Sequence, residues 1–101
     1  MKITKKKEGS TLTIALEDSL DTVTAPDLEN ELKDALDDVK ELVFDLNDLK
    51  YVSSAGLRVL FAAHKTMDKQ QGKMSVKNVS KEIMGILEMT GFYQIFNVEA
   101  K

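Results

Sequence analysis

The sequence contains no cysteine, which excludes disulfides and thiolate metal sites. Its single histidine, His64, excludes a multi-histidine metal centre. A hard-cation site made of carboxylates stays open by counting alone, since Asp and Glu together number 17. Positive charge is scarce: 14 basic residues against those 17 acids give a net charge of −3. Nucleic acid is therefore not an expected partner, because phosphate binding needs a basic patch and the only basic run is the short Lys5-Lys6-Lys7. No stretch approaches the roughly 20 apolar residues that span a bilayer. The start, Met1-Lys2-Ile3-Thr4-Lys5, has no apolar signal-peptide core. No membrane insertion is expected, and the expected location is cytoplasmic. Repeats, linkers and low-complexity tracts are missing too. What is present is a chain of 101 residues that is 43% apolar, enough for a single domain over 1–101 with a core that needs no staples.

Periodicity divides that domain into alternating elements. Ile3 to Lys7 reads as a short strand, Gly9-Ser10 as a turn, and Thr11 to Glu17 as a half-buried strand with Leu12, Ile14 and Leu16 on one face. Thr24-Ala25-Pro26-Asp27 opens a helix, with Thr24 as its cap. Leu28, Leu32, Ala35, Leu36 and Val39 continue it at helical spacing, with acids on the other face. Glu41 to Leu46 is a strand rich in apolar and branched residues, placed centrally in a sheet. A second helix runs from about Ser54 to Gln71, its inner stripe marked by Leu57, Leu60, Phe61, His64 and Met67, with Gly72 fitting a C-cap. Lys73 to Val79 is another strand. Ser80 caps a last helix with apolar positions Ile83, Ile86, Leu87 and Met89, ended by Gly91. Phe92 to Val98 reads as a final apolar segment, a short strand at its simplest. The order β-β-α-β-α-β-α predicts an α/β domain, a mixed sheet of four to five strands with helices packed on it.

Catalytic signatures are absent. There is no Gly-x-Ser-x-Gly elbow, no Walker-type phosphate loop and no Gly-x-Gly-x-x-Gly. His64 lies ten residues past Ser54 in the same helix, about 15 Å along the axis, too far to serve a serine as base. No catalytic residue, cofactor or metal ligand is assigned, and a small-nucleotide binder has little support without a phosphate loop.

The informative segment is Leu49-Lys50-Tyr51-Val52-Ser53-Ser54-Ala55-Gly56-Leu57-Arg58-Val59-Leu60, where a strand pattern gives way to a helical one. Two readings fit it. In one, Ser53 caps the helix and Ser54 merely occupies the first turn. In the other, a serine flanked by exposed Tyr51 and Val52 is presented to a partner. Gly56 inside the first turn costs about 1 kcal/mol relative to Ala and lets another backbone approach closely. Leu57, Val59, Leu60, Phe61, Ala62 and Ala63 make the helix apolar nearly all round, with Arg58 the exception, so a partner has surface to cover.

Asp48-Leu49-Lys50-Tyr51-Val52-Ser53-Ser54-Ala55-Gly56-Leu57 resembles the signature of the STAS domain (sulfate transporter and anti-sigma factor antagonist), and in particular that of the bacterial single-domain anti-sigma factor antagonists. Leu20-Asp21 before Thr24-Ala25, Gly72 before a strand, and Val79-Ser80 leading through Leu87-Glu88-Met89-Thr90-Gly91-Phe92 into Ile95-Phe96 continue the resemblance in the same order. Two positions depart from the family pattern. Ser53 stands where the pattern often has Asp, and Asp18 stands where many members have Gly before the Leu-Asp pair.

The resemblance implies the STAS fold and a partner-switching cycle. The unphosphorylated protein binds an anti-sigma factor that is also a serine kinase, which frees the sigma factor. The kinase phosphorylates the antagonist on Ser54, the complex dissociates, and a PP2C-type phosphatase resets it. The expected partner footprint is Asp21, Tyr51, Val52, Ser53, Gly56, Leu57 and Arg58, with Asp21 and Asp48 near the site and repelling the phosphate. Gly56 gives the kinase room, and the free protein is expected to be a monomer. The alternative implied by the same resemblance is a STAS module that is never phosphorylated, acting as a structural subunit of a lipid-transport complex or as a signalling scaffold.

Overall fold

A computed structural model describes residues 1–101. Strand β1 (Ile3–Glu8) turns through Gly9 and Ser10 into β2 (Thr11–Leu20); then come α1 (Ala25–Leu32), β3 (Glu41–Val52), α2 (Ser54–Lys69), β4 (Lys73–Val79), α3 (Lys81–Thr90), a 3₁₀ turn (Phe92–Gln94) and β5 (Asn97–Ala100). The five strands lie side by side in sequence order, with β1 antiparallel to β2 and every later pair parallel. Each parallel pair needs a crossover, and all three crossovers step along the sheet in the same direction. Right-handed crossovers of that kind leave all three helices on one face.

The register shows which face that is. Leu12 pairs with Leu42 and Leu42 with Met74; Ile14 pairs with Phe44 and Phe44 with Val76. These side chains are buried, together with Leu16, Leu46, Leu49, Val52 and Val79, in one core cluster with the helices. α1 packs on α2, α2 lies over β3 and β4, and α3 lies over β3.

The element order agrees with expectation, and several boundaries do not. β2 runs on to Leu20 and β3 to Val52, well past the expected ends at Glu17 and Leu46. The extra length is paired length: Glu17 lies opposite Asp48, Ser19 opposite Tyr51 and Leu20 opposite Val52, after register slips between Ala15 and Glu17 and between Asp18 and Ser19. Asp18 sits at that second slip with φ of 70°. Its place in the left-handed region accounts for glycine at this position in the family pattern, and Asp is among the side chains that tolerate it. α1 stops at Leu32 and gives way to turns, although Leu36 and Val39 still reach the core. Thr24 precedes α1 without a side-chain cap bond. The left-handed position after α2 is Gln71, with φ of 60°, and not Gly72. A Cβ at Gly72 would lie 2.6 Å from Met67 Cε and 2.8 Å from Lys40 O, so glycine is needed there for close approach. Ser80 caps α3 by accepting from the Ile83 amide at 3.3 Å, and Gly91 closes it with φ of 85°. Met89, one of the apolar positions expected of the last helix, is 87% exposed. His64 is half-buried at the edge of α2, its ring 6.2 Å from Phe61 and 6.0 Å from Phe96.

Candidate functional site

The site lies at the carboxyl ends of β2 and β3, where the two strands leave the sheet together. Leu20 is opposite Val52, and the Ser53 amide donates to Leu20 O at 2.9 Å. That bond ties the start of α2 to the end of β2. Ser53 has extended backbone (φ −95°, ψ 174°), and its hydroxyl accepts from the Gly56 amide at 3.3 Å. Its carbonyl accepts from the Leu57 amide at 2.9 Å. Ser53 is thus the N-cap, satisfying donors that a helix start otherwise leaves open. Ser54 is the next residue, in the first turn. It is exposed, and its hydroxyl makes no hydrogen bond within the chain.

Behind the serines the packing is tight. A Cβ at Gly56 would lie 2.7 Å from both Cγ and O of Leu20 and 3.0 Å from Val52 Cγ2. The close approach that Gly56 permits is therefore taken up by the protein's own β2 end and not by a partner's backbone. Val52, expected to be exposed beside Tyr51, is 2% exposed; the register slips put it on the core face of the sheet. Leu57 is buried as well, in the core beneath α2. Val52, Gly56 and Leu57 form the floor of the site. Tyr51, at 49% exposure, stands at its surface with Ser54 and Arg58.

The loop from β2 to α1 forms the adjoining wall. Asp21 Oδ1 accepts from the amides of Val23 at 3.0 Å and Thr24 at 3.1 Å, with the Thr24 hydroxyl 3.2 Å away. Thr24 Oγ1 in turn accepts from the Asp21 amide at 2.9 Å and lies 2.8 Å from Ser19 O. Thr24 therefore closes a reciprocal turn with Asp21 instead of capping α1. The Thr24 amide is the chief reason the Asp21 carboxyl is held below its ordinary 3.8; it outweighs partial desolvation, and the Val23 amide and Thr24 hydroxyl add to it. The turn presents Val23 to solvent at 82% exposure. Sequence reasoning passed over Val23. The available signal was an apolar residue inside an Asp-Thr-Val-Thr turn, where polar residues are the norm.

Asp48 is not part of this cluster. It lies in extended β3 upstream of Ser53, roughly 15 Å away by the strand rise, and accepts from the Asn47 side chain at 3.2 Å. No group of three or more His, Asp or Glu side chains is placed to hold a metal ion. No helix is long and apolar enough to cross a membrane. Chemically, the site offers an unengaged hydroxyl on a rigid helix start, an exposed guanidinium, an ionised carboxylate, and two exposed apolar side chains, Val23 and Tyr51.

The family model of the STAS domain matches residues 2–101. Among curated proteins, BtrV of Bordetella bronchiseptica is 33% identical over 99 residues, covering 97% of this chain and 85% of that protein. The anti-sigma-B factor antagonist of Bacillus subtilis is 26% identical over 96 residues, covering 95% and 88%. Among solved structures, the anti-sigma factor antagonist SpoIIAA in its unphosphorylated form superposes with a TM-score of 0.77 at 14% identity, over 99% of this chain and 88% of that one. The phosphorylated form of SpoIIAA from Bacillus gives 0.78 at 14% identity, over 99% and 92%. At that identity the likeness concerns the fold, which is shared with both forms.

Proposed function

The chain belongs to the STAS domain family, and from that membership we propose that it is an anti-sigma factor antagonist working by partner switching, with Ser54 as its phosphoacceptor. The observation that carries this reading is the division of labour between adjacent serines. Ser53 is consumed by the cap, while the Ser54 hydroxyl is exposed and unengaged. In the unphosphorylated state the protein binds an anti-sigma factor that is also a serine kinase, through Asp21, Val23, Tyr51, Ser54 and Arg58 above the floor of Val52, Gly56 and Leu57. The kinase moves the γ-phosphoryl group of ATP onto Ser54 Oγ; the hydroxyl proton leaves to a base of the kinase and ADP departs. A PP2C-type phosphatase in the cytoplasm hydrolyses the phosphoester and restores the binding form. The protein is a substrate and a regulatory binding module.

The physics favours a switch confined to the surface. The phosphate adds about −1.5 to −2 charges at neutral pH. At a helix N-terminus that charge meets a favourable dipole, worth about 0.3–1 kcal/mol at an exposed site. The cap bond belongs to Ser53 and the packing to Leu57 and Leu60, so neither is spent when Ser54 is modified. In an interface the same phosphate must be desolvated beside Asp21, which opposes rebinding.

The test is intact mass after incubation with ATP and a serine kinase of the histidine-kinase-like ATPase fold that binds this chain. Uptake of one phosphate is expected for the wild type and for Ser53→Ala, and none for Ser54→Ala, with kinase binding retained in all three. Uptake that survives Ser54→Ala and disappears with Ser53→Ala overturns the assignment. No uptake by the wild type overturns the switch.

A further inference from the structure

Arg58 is the only arginine among the 14 basic residues of the chain. It lies one helical turn after Ser54 on α2, and both residues are exposed. The two ion pairs of the molecule, Lys5 with Glu31 and Lys6 with Glu8, leave it out, and it makes no side-chain hydrogen bond. From this placement we infer that Arg58 captures the phosphate on Ser54, so that phosphorylation withdraws the guanidinium from the partner-binding face at the same moment that it adds negative charge. The inference rests on the reading of Ser54 as the phosphoacceptor.

Three features of helix geometry support it. Positions i and i+4 are neighbours on one helix face, with Cβ atoms about 5–6 Å apart. A long side chain on a helix leans toward the N-terminal turn, which directs Arg58 toward Ser54. The order acid then base, N-terminal to C-terminal, is the favourable one for such a pair. The planar guanidinium fork matches two phosphate oxygens at once, a match that lysine cannot make. Before modification nothing within the chain engages Arg58, so it is free to meet a carboxylate of the partner. After modification its nearest anion is intramolecular.

The adjoining elements carry other charges. Asp21 in the β2–α1 loop, Asp27 and Glu29 on α1, Asp48 and Lys50 in β3, Lys73 and Lys77 in β4, and Lys65 on α2 itself belong to the neighbouring elements. None of these carboxylates ion-pairs with Arg58. Lys65 Nζ lies over the Phe61 ring at 5.6 Å. Lys50 is the cation to test as a rival.

The experiment places phosphoserine at position 54 of the full chain during translation, so it does not depend on any kinase accepting the site. The second ionisation of the phosphoserine is followed by phosphorus NMR across pH in the wild type, Arg58→Gln, Arg58→Lys and Lys50→Gln, with amide spectra confirming the fold. The phosphate of the wild type should ionise at a pH lower by roughly 0.2–0.4 than that of Arg58→Gln, with Arg58→Lys between them. The Arg58 Nε–H signal of the wild type should move downfield on phosphate ionisation. Equal midpoints in the wild type and Arg58→Gln overturn the inference, as does a midpoint moved by Lys50→Gln and not by Arg58→Gln. Either result leaves the phosphoacceptor assignment to stand or fall on the kinase assay.

Discussion

Gly56→Ala sets two effects of opposite sign against each other, and the structure says which wins. In an unconstrained helix interior the change stabilises by about 1 kcal/mol, the propensity difference between the two residues. Here the added Cβ would lie 2.7 Å from Leu20 Cγ and 2.7 Å from Leu20 O. Leu20 is 0% exposed and enclosed in the core cluster, so it cannot swing out to solvent. Its carbonyl also holds the Ser53 amide at 2.9 Å, so moving it loosens the start of α2. Overpacking of this kind costs about 1–3 kcal/mol, and a weakened hydrogen bond about 1 kcal/mol more. The net expectation is destabilisation by about 1–3 kcal/mol, a fall in Tm of roughly 5 °C or more. Urea unfolding followed by circular dichroism should show a lower midpoint at unchanged slope. Gly85→Ala is the internal control: Gly85 is inside α3, and nothing lies within 4 Å of its Cβ position. There the same substitution should stabilise by about 0.5–1 kcal/mol. If Gly56→Ala is neutral or stabilising, the close approach to Leu20 is not what requires glycine at this position.

Ser53→Ala should lower stability by about 1 kcal/mol through loss of the cap to the Gly56 amide, read as a urea midpoint shift; an unchanged midpoint would remove Ser53 from that role. Val23→Ser should leave the unfolding midpoint unchanged, since the side chain is 82% exposed, and should weaken kinase binding roughly tenfold if the partner buries it. Calorimetric titration decides this, and equal affinities place Val23 outside the footprint. Because the folded Asp21 carboxyl ionises below its ordinary 3.8, its contribution to stability is fully present above that pH and is lost as pH falls through the lower folded value. The stability difference between wild type and Asp21→Asn should therefore hold steady above pH 3.8 and narrow below it. A difference that widens on acidification contradicts the hydrogen-bonding account of the Asp21–Thr24 turn.

What was legible in the sequence was what is locally determined. The serine cap of α3, the glycine after it and the order of elements follow from spacing within a few residues, as does the core face of β2 and the first half of β3. The second half of β3 was not legible. Leu42, Phe44 and Leu46 keep the period of two, but the next buried positions are Leu49 and Val52, spaced by three. Asn47, Asp48 and Lys50 between them read as loop. The phase is broken by the register slips against β2, one of them at left-handed Asp18, and those slips exist only once the two strands are paired. The same non-local cause hid the role of Gly56. A glycine in a first turn announces that something comes close, and the sequence does not say that it is Leu20, brought up by the sheet. The helical spacing of Leu36 and Val39 was real and their burial correct, yet the chain reaches those positions through turns after Leu32.

The burial of the glycine also bears on how a small domain can be switched without being unfolded. A phosphate placed on Ser53 would have to be fitted where its hydroxyl meets the Gly56 amide and its own amide meets Leu20 O, against the paired ends of β2 and β3. One residue further on, the same phosphate projects from a helix start already closed by Ser53 and fixed from below by Val52, Gly56 and Leu57. Refitting those ends around the added bulk costs on the order of 1–3 kcal/mol. That is a large fraction of what a domain of this size has to spare. In the proposed switch the modified residue, Ser54, is next to the structural one, Ser53, and separate from it.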